Sequence, residues 1–356
     1  MKQPAAAGLL GIAIGVLGIL ISASPLGMML TQNVGLHGLF HLRGPREAPP
    51  ETIIATMDMA SVNHFNLDAR PENWPRALHA QLIEQLAASG AREVVMDILF
   101  ETPKNTRDDQ RLAEAIAKAG NVILCSSIQV QKSPLKSSTA GKKHRGAANI
   151  ETVITPLPEL VRAAVTQAPF PLPKRPVKVS QFWLFKTSAG DMPTLPVAAL
   201  HLYLADHYET LIALLEDSGA SLPSDLPGTR RDLLQNGNML PAIHQLKTLS
   251  RQQPALFKHA QGRLDDAVHQ DNGREERADL RALLTLYTGA DSHYLNYYGP
   301  PGTLHTLPYH RIFEATAAGA APGGALDLNG KIVFIGLSQR LRLDQEDGYY
   351  TVYSRD

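Results

Sequence analysis

The chain has 356 residues, with 34 Lys plus Arg set against 34 Asp plus Glu, so its formal net charge is zero and no global basic field exists to hold nucleic acid by counterion release. One cysteine, Cys125, excludes a disulfide within the chain. The roughly 300 residues beyond the N-terminal apolar run are enough to bury a core without covalent staples.

Residues 5–30 (AAAGLLGIAIGVLGILISASPLGMML) carry no charge. A helix rising about 1.5 Å per residue needs about 20 such residues to cross the hydrocarbon core, so this segment is expected to span a membrane. A cleaved secretory signal is the competing reading, with Lys2 as its basic start and Ser22-Ala23-Ser24 as its small-residue cleavage site. Lys2 on one flank and Arg43 and Arg46 on the other discriminate little by the positive-inside rule, and the N-terminus is placed inside. The expected organisation is a tail over 1–4, a transmembrane helix over 5–30, a linker over 31–50 and an extracytoplasmic domain over 51–356.

Within that domain the β-branched run 52–57 (TIIATM) reads as a buried strand ending at Asp58. Trp74-Pro75-Arg76 opens a helix whose Leu78, Leu82, Ile83 and Leu86 share a face before Gly90 stops it. A second strand over 93–99, a helix over 108–118 and a third strand over 121–127 complete a βαβαβ unit, hence a parallel, right-handed arrangement. Cys125 falls inside the apolar run 122–127 and reads as a small buried hydrophobe. Lys132, Lys136, Lys142, Lys143 and Arg145 lie in a Ser/Ala/Gly-rich stretch without aromatic residues, which reads as a solvated basic loop over 131–150. Six prolines between 156 and 176 disfavour regular elements. An alternating strand over 179–185 and a helix over 195–215 follow. Residues 205–290 read as a helical insertion, and the polar stretch 217–280 within it, with short helices over 231–249 and 275–286, is expected to bury little. Strands over 294–298, 331–336 and 349–353, a Gly299-Pro300-Pro301-Gly302 turn and a helix over 308–317 complete the chain. The fold class is α/β: a mostly parallel sheet with flanking helices and a helical insertion, preceded by one transmembrane helix.

This ordered set resembles the type-two CHASE domain, the extracellular sensory module associated with cyclases and histidine kinases. The matching segments are the strand ending in Asp58, Trp74-Pro75-Arg76, LAASGAREVVMDILF over 86–100 and DDQRLAEAIAKAGNVIL over 108–124. NYYGPPGTLHTLPYHRIFE over 296–314 and NGKIVFIGLS over 329–338 extend the match. The resemblance implies an extracytoplasmic input domain, sensing a small ligand or the state of the envelope, at the cell inner membrane and working as a homodimer. It implies an output, a class III nucleotide cyclase or else a serine/threonine or histidine kinase, beyond a few returning membrane helices. The chain reaches Asp356 before any of these, so it is read as truncated, without enzyme activity of its own.

Asp58 and Asp97 are expected at the carboxyl ends of two neighbouring strands, where open α/β sheets bind ligands. With Arg76 able to neutralise one of them, and Gly336 and Ser338 facing the same crevice, these five form the candidate ligand site. Loop capping and fold-supporting arginine pairs would use the same acids. A phosphohydrolase with Asp58 as nucleophile would want a second acid two positions on, where Ala60 stands. His37 and His41 have helical i, i+4 spacing, yet they read as interfacial residues because no third ligand is near. No cofactor and no metal are expected; a scaffold that binds no ligand is the remaining alternative.

Overall fold

The computed structural model describes residues 3–24, 27, 34–134, 147–172, 179–266, 273–317, 327–337 and 350–354. Among the described residues, eleven strands follow in chain order: β1 (Thr52–Met57), β2 (Glu93–Leu99), β3 (Val122–Pro134), β4 (Ala147–Ile154), β5 (Thr166–Pro169), β6 (Gln181–Trp183), β7 (Phe185–Lys186), β8 (Met192–Pro193), β9 (Ser292–Tyr294), β10 (Thr306–Pro308) and β11 (Ile332–Leu337). Seven of them form one sheet in the order β10-β1-β11-β2-β3-β4, with β5 also pairing β3. Every pairing is parallel except that of β3 with β4. The fold is thus the expected mixed α/β class.

Alternation along each strand sends successive side chains to opposite faces, and both faces are covered, as a parallel sheet requires. On one face Ile53, Ala55, Met57, Val94, Met96, Leu124, Val333 and Ile335 pack with Trp74, Leu82, Ile83, Leu86, Leu112 and Ile116. On the other, Val95, Ile123 and Ala168 meet the helices that follow residue 195. The first of the covering helices, Arg76–Ala88, buries Leu82, Ile83 and Leu86. It stops before Gly90, whose φ of +79° and 2.7 Å clearance between an added Cβ and Asn329 Oδ1 leave no room for a side chain. The next, Thr106–Ala119, is capped by the Asn105 side chain on Arg107 N–H, with Asp108 and Asp109 in its first turn and Lys118 in its last.

Several expectations need correction. β1 and β2 are not neighbours, because β11 enters between them and pairs Ile335 with Ala55 on one side and Met96 on the other. Its sequence, IVFIGL, is apolar on both faces and gains most from a central position. The third strand extends to Pro134 because its outer half pairs antiparallel with β4; Lys136, Lys142, Lys143 and Arg145 lie outside the described residues. The proline-rich stretch forms a helix, Pro158–Ala163, with proline at its first position, and strand β5.

The helix expected over 195–215 is two, Leu195–Tyr203 and Tyr208–Asp217, joined by a 3-10 turn. Arg92 holds the break by donating to the Tyr203 carbonyl at 2.7 Å and to Asp206 Oδ2 at 2.8 Å. The polar excursion buries far more than its composition promised. Met239, Ile243, Leu246 and Leu249 on the Met239–Gln252 helix, and Leu280, Leu283, Leu284 and Tyr287 on the Arg274–Thr288 helix, are core residues. At the C-terminus Tyr349 lies outside the described residues, and 350–354 make a turn, not a strand.

The N-terminal apolar segment is helical over Gln3–Ala23, and residues 28–30 of the expected span lie outside the described residues. Ser24 ends it by donating from Oγ to the Ile21 carbonyl and accepting from Gly27 N–H, and Pro25 follows. Among the described residues, no helix is long and apolar enough to cross a membrane.

Candidate functional site

The carboxyl edge of the sheet is built by three adjacent strands, β1, β11 and β2. Asp58 follows β1 directly with extended backbone and caps the Met59–Phe65 helix, its Oδ1 accepting from Ser61 N–H at 2.8 Å. The Thr56 hydroxyl lies 3.2 Å from Asp58 Oδ2 and 3.1 Å from the Leu307 carbonyl, donating between them. Both Asp58 oxygens are therefore engaged by the fold, an arrangement suited to a helix cap and poorly suited to an attacking nucleophile.

Gly336 pairs in register with Thr56. A Cβ added to Gly336 would lie 3.3 Å from Asp97 Cβ and 3.6 Å from Asp97 Oδ2, so its missing side chain lets the Asp97 carboxylate approach the β11 backbone. Asp97 is exposed and sits where the β2–β3 register shifts between Met96 and Leu99, a local irregularity that re-aims a side chain. The structure thus brings Asp58, Gly336 and Asp97 to one edge. Ser338 lies outside the described residues.

Arg76 is elsewhere. Its guanidinium is buried, 3.3 Å from Asp109 Oδ1, with Nη2 donating to the Thr102 carbonyl at 3.2 Å and the group 4.3 Å above the Phe100 ring. Burial pulls its pKa down from the usual guanidinium value, and Asp109 works against that shift. The expected pairing of Arg76 with Asp58 or Asp97 is replaced by Asp109, which also accepts from Lys104 N–H at 2.9 Å. Next to this pair His79 is fully buried, 3.0 Å from the Tyr309 hydroxyl and stacked on Trp74. Burial first, then the charges of Arg76 and Lys104, push its pKa down to about 3, so it is neutral at physiological pH.

Sequence reasoning passed over a second group beside Asp58. Ser61, His64, His310 and Glu314 come together where the Met59–Phe65 helix meets the Tyr309–Ala317 helix. The i, i+4 spacing of His310 and Glu314 in HRIFE is a signal in the sequence; Ser61 and His64, about 250 residues away, carry none.

A third feature lies at the chain's entrance and exit. Phe40, on the short helix Leu36–Arg43, makes edge contacts with Tyr297 at 5.7 Å and Tyr353 at 6.3 Å. His41 packs on Tyr353 at 5.5 Å, and Arg43 donates to Asn296 Oδ1 and the Tyr297 carbonyl. The segment entering the domain and the last described residues therefore close on each other. The His37 and His41 rings meet in this junction with centroids 4.2 Å apart and planes tilted by 52°.

Comparison with curated proteins and with solved structures returns no match. The family model described as the CHASE2 domain matches residues 12–354, nearly the whole chain. The chain therefore belongs to the CHASE2 domain family, a family of extracellular sensory domains.

Proposed function

We propose that this chain is the input module of a transmembrane signalling protein, held at the inner membrane by its apolar N-terminal helix with the α/β domain in the periplasm. The observation that carries the reading is the carboxyl edge, where exposed Asp97 lies against the bare backbone of Gly336, with Asp58 following β1 on the far side of β11. A small polar ligand bearing a hydrogen-bond donor or a positive charge suits such an edge. The membrane attachment is supported by Ile12, Leu17, Ile19 and Leu20, which stand exposed around the N-terminal helix.

The route outward is the junction of Phe40, His41, Tyr297 and Tyr353, which ties the entering segment to the leaving one. A ligand shifts that junction only through different affinities for two states of the domain. The output it serves is a class III nucleotide cyclase, or alternatively a serine/threonine or histidine kinase, and the working unit is a homodimer.

The test is a thermal-shift screen of small polar molecules on the full chain in detergent micelles. A ligand bound only by the folded state raises stability by RT ln(1 + [L]/Kd). At least one compound is expected to raise the Tm of the wild type and to leave Asp97→Asn unshifted. If no molecule shifts melting while a membrane protein co-purifies, the domain is a docking scaffold instead.

A further inference from the structure

Among the described residues, His64, His310 and Glu314 each offer one ligand atom, and those atoms all lie within 4.8 Å of one another. Two nitrogens and a carboxylate oxygen match the donor set of zinc-type ions, which bind imidazole at about 2.0–2.1 Å and carboxylate at about 2.0–2.2 Å. Ligand atoms at such a centre sit about 3.4 Å apart, so rotamer adjustments of roughly an ångström close the group around an ion. Glu314 Oε1 is already 4.0 Å from His64 Nδ1.

The surroundings preorganise the group. His310 Nδ1 lies 3.1 Å from Ser61 Oγ, which also accepts from His310 N–H at 3.2 Å. In the tautomer whose Nδ1–H donates to this buried serine, the ring orientation is fixed and Nε2 keeps its lone pair for a metal, the usual second-partner arrangement of a metal-bound histidine. The His64 ring stacks on that of His310 with centroids 4.7 Å apart and planes 22° apart. Beneath them Phe65, Tyr309 and Phe313 lock the two helices together, with Phe65 and Phe313 at 5.2 Å. The carboxylate is partly committed, since Arg311 Nη1 is 3.0 Å from Glu314 Oε2, but this pair is exposed and weak.

We propose that His64, His310 and Glu314 bind one divalent transition-metal ion of the zinc class, with solvent completing its coordination. The ion clamps the helix leaving β1 to the helix leaving β10, joining two segments that are far apart in sequence at the sheet edge. The site is accessible, because His64 and Glu314 are exposed, and so it responds to the free metal concentration outside the domain. This stands on the geometry of the three side chains and does not depend on the ligand proposed at Asp97.

The test is calorimetric titration of Zn2+ into the full chain in detergent micelles after chelator treatment, with Co2+ as a spectroscopic substitute. One equivalent of Zn2+ is expected to bind, and Co2+ to give the visible absorption of a low-symmetry nitrogen and oxygen site. His64→Ala and Glu314→Gln, both at exposed positions, are expected to weaken Zn2+ binding at least about tenfold. His37→Ala with His41→Ala is expected to leave it unchanged. Absence of binding to the wild type, or equal binding by His64→Ala and Glu314→Gln, overturns the proposal.

Discussion

Two polar groups sit back to back on the helix Tyr309–Ala317, and they differ in how their valences are spent. Tyr309 points inward to His79, beside the buried Arg76–Asp109 pair, while His310 turns outward to Ser61 and His64. In the inner group Arg76 and Asp109 are 5 % and 3 % exposed, and Asp109 oxygens accept from Arg76 and Lys104. In the outer group His64 and Glu314 are exposed and His310 is half-buried, and the three converge around buried Ser61. Burial and the enclosed Arg76–Asp109 ion pair mark the first as part of the fold, and access with convergence marks the second as a place for something from solution. The presence of ionisable residues alone would not separate the two.

The contrast can be broken most forcefully at Asp109. Asp109→Ala leaves a buried guanidinium without its counter-charge and is expected to cost about 3–5 kcal/mol, read as a lowered urea midpoint of the full chain. A loss below about 1 kcal/mol, the scale of an exposed pair, would place Arg76 among the surface charges instead.

A smaller effect separates the groups by pH. The folded state holds His79 at about 3 and His201 at about 4, against an ordinary 6.5, with burial the first cause of both shifts. Folding thus excludes their protons: the contribution is whole above pH 6.5 and is lost as pH falls from 6.5 towards 4 and then 3. Each of the two is expected to cost about 1.4 kcal/mol per pH unit within its window. In His79→Gln, which keeps a partner for Tyr309, the loss of stability as pH falls from 6.5 to 5 becomes shallower. A slope unchanged by this substitution would show that His79 takes up protons without unfolding.

How much of this was legible depended on whether the cause was local. β1 and β2 could be read residue for residue, because short apolar runs between turn signals need no partner to be recognised. The entry of β11 between them could not, since its pairing with β1 joins Thr52 to Ile332 across most of the chain. The insertion misled for a different reason. Leu280, Leu283, Leu284 and Tyr287 follow helical spacing, but Arg and Glu on the outer face diluted the average hydrophobicity. At the site, Asp58, Asp97 and Gly336 could be placed at the carboxyl edge from strand ends alone. Arg76 was misassigned because its partner Asp109 comes from a neighbouring helix and not from the sheet edge. His310 and Glu314 carried a helical spacing, and only the packing of two helices supplied His64.

As an input module, the α/β domain is proposed to stand outside the cytoplasm. Protease added to intact spheroplasts that display the full chain measures this most directly. Digestion of the domain while the membrane is intact is the predicted result, and protection that persists until the cells are lysed would contradict it.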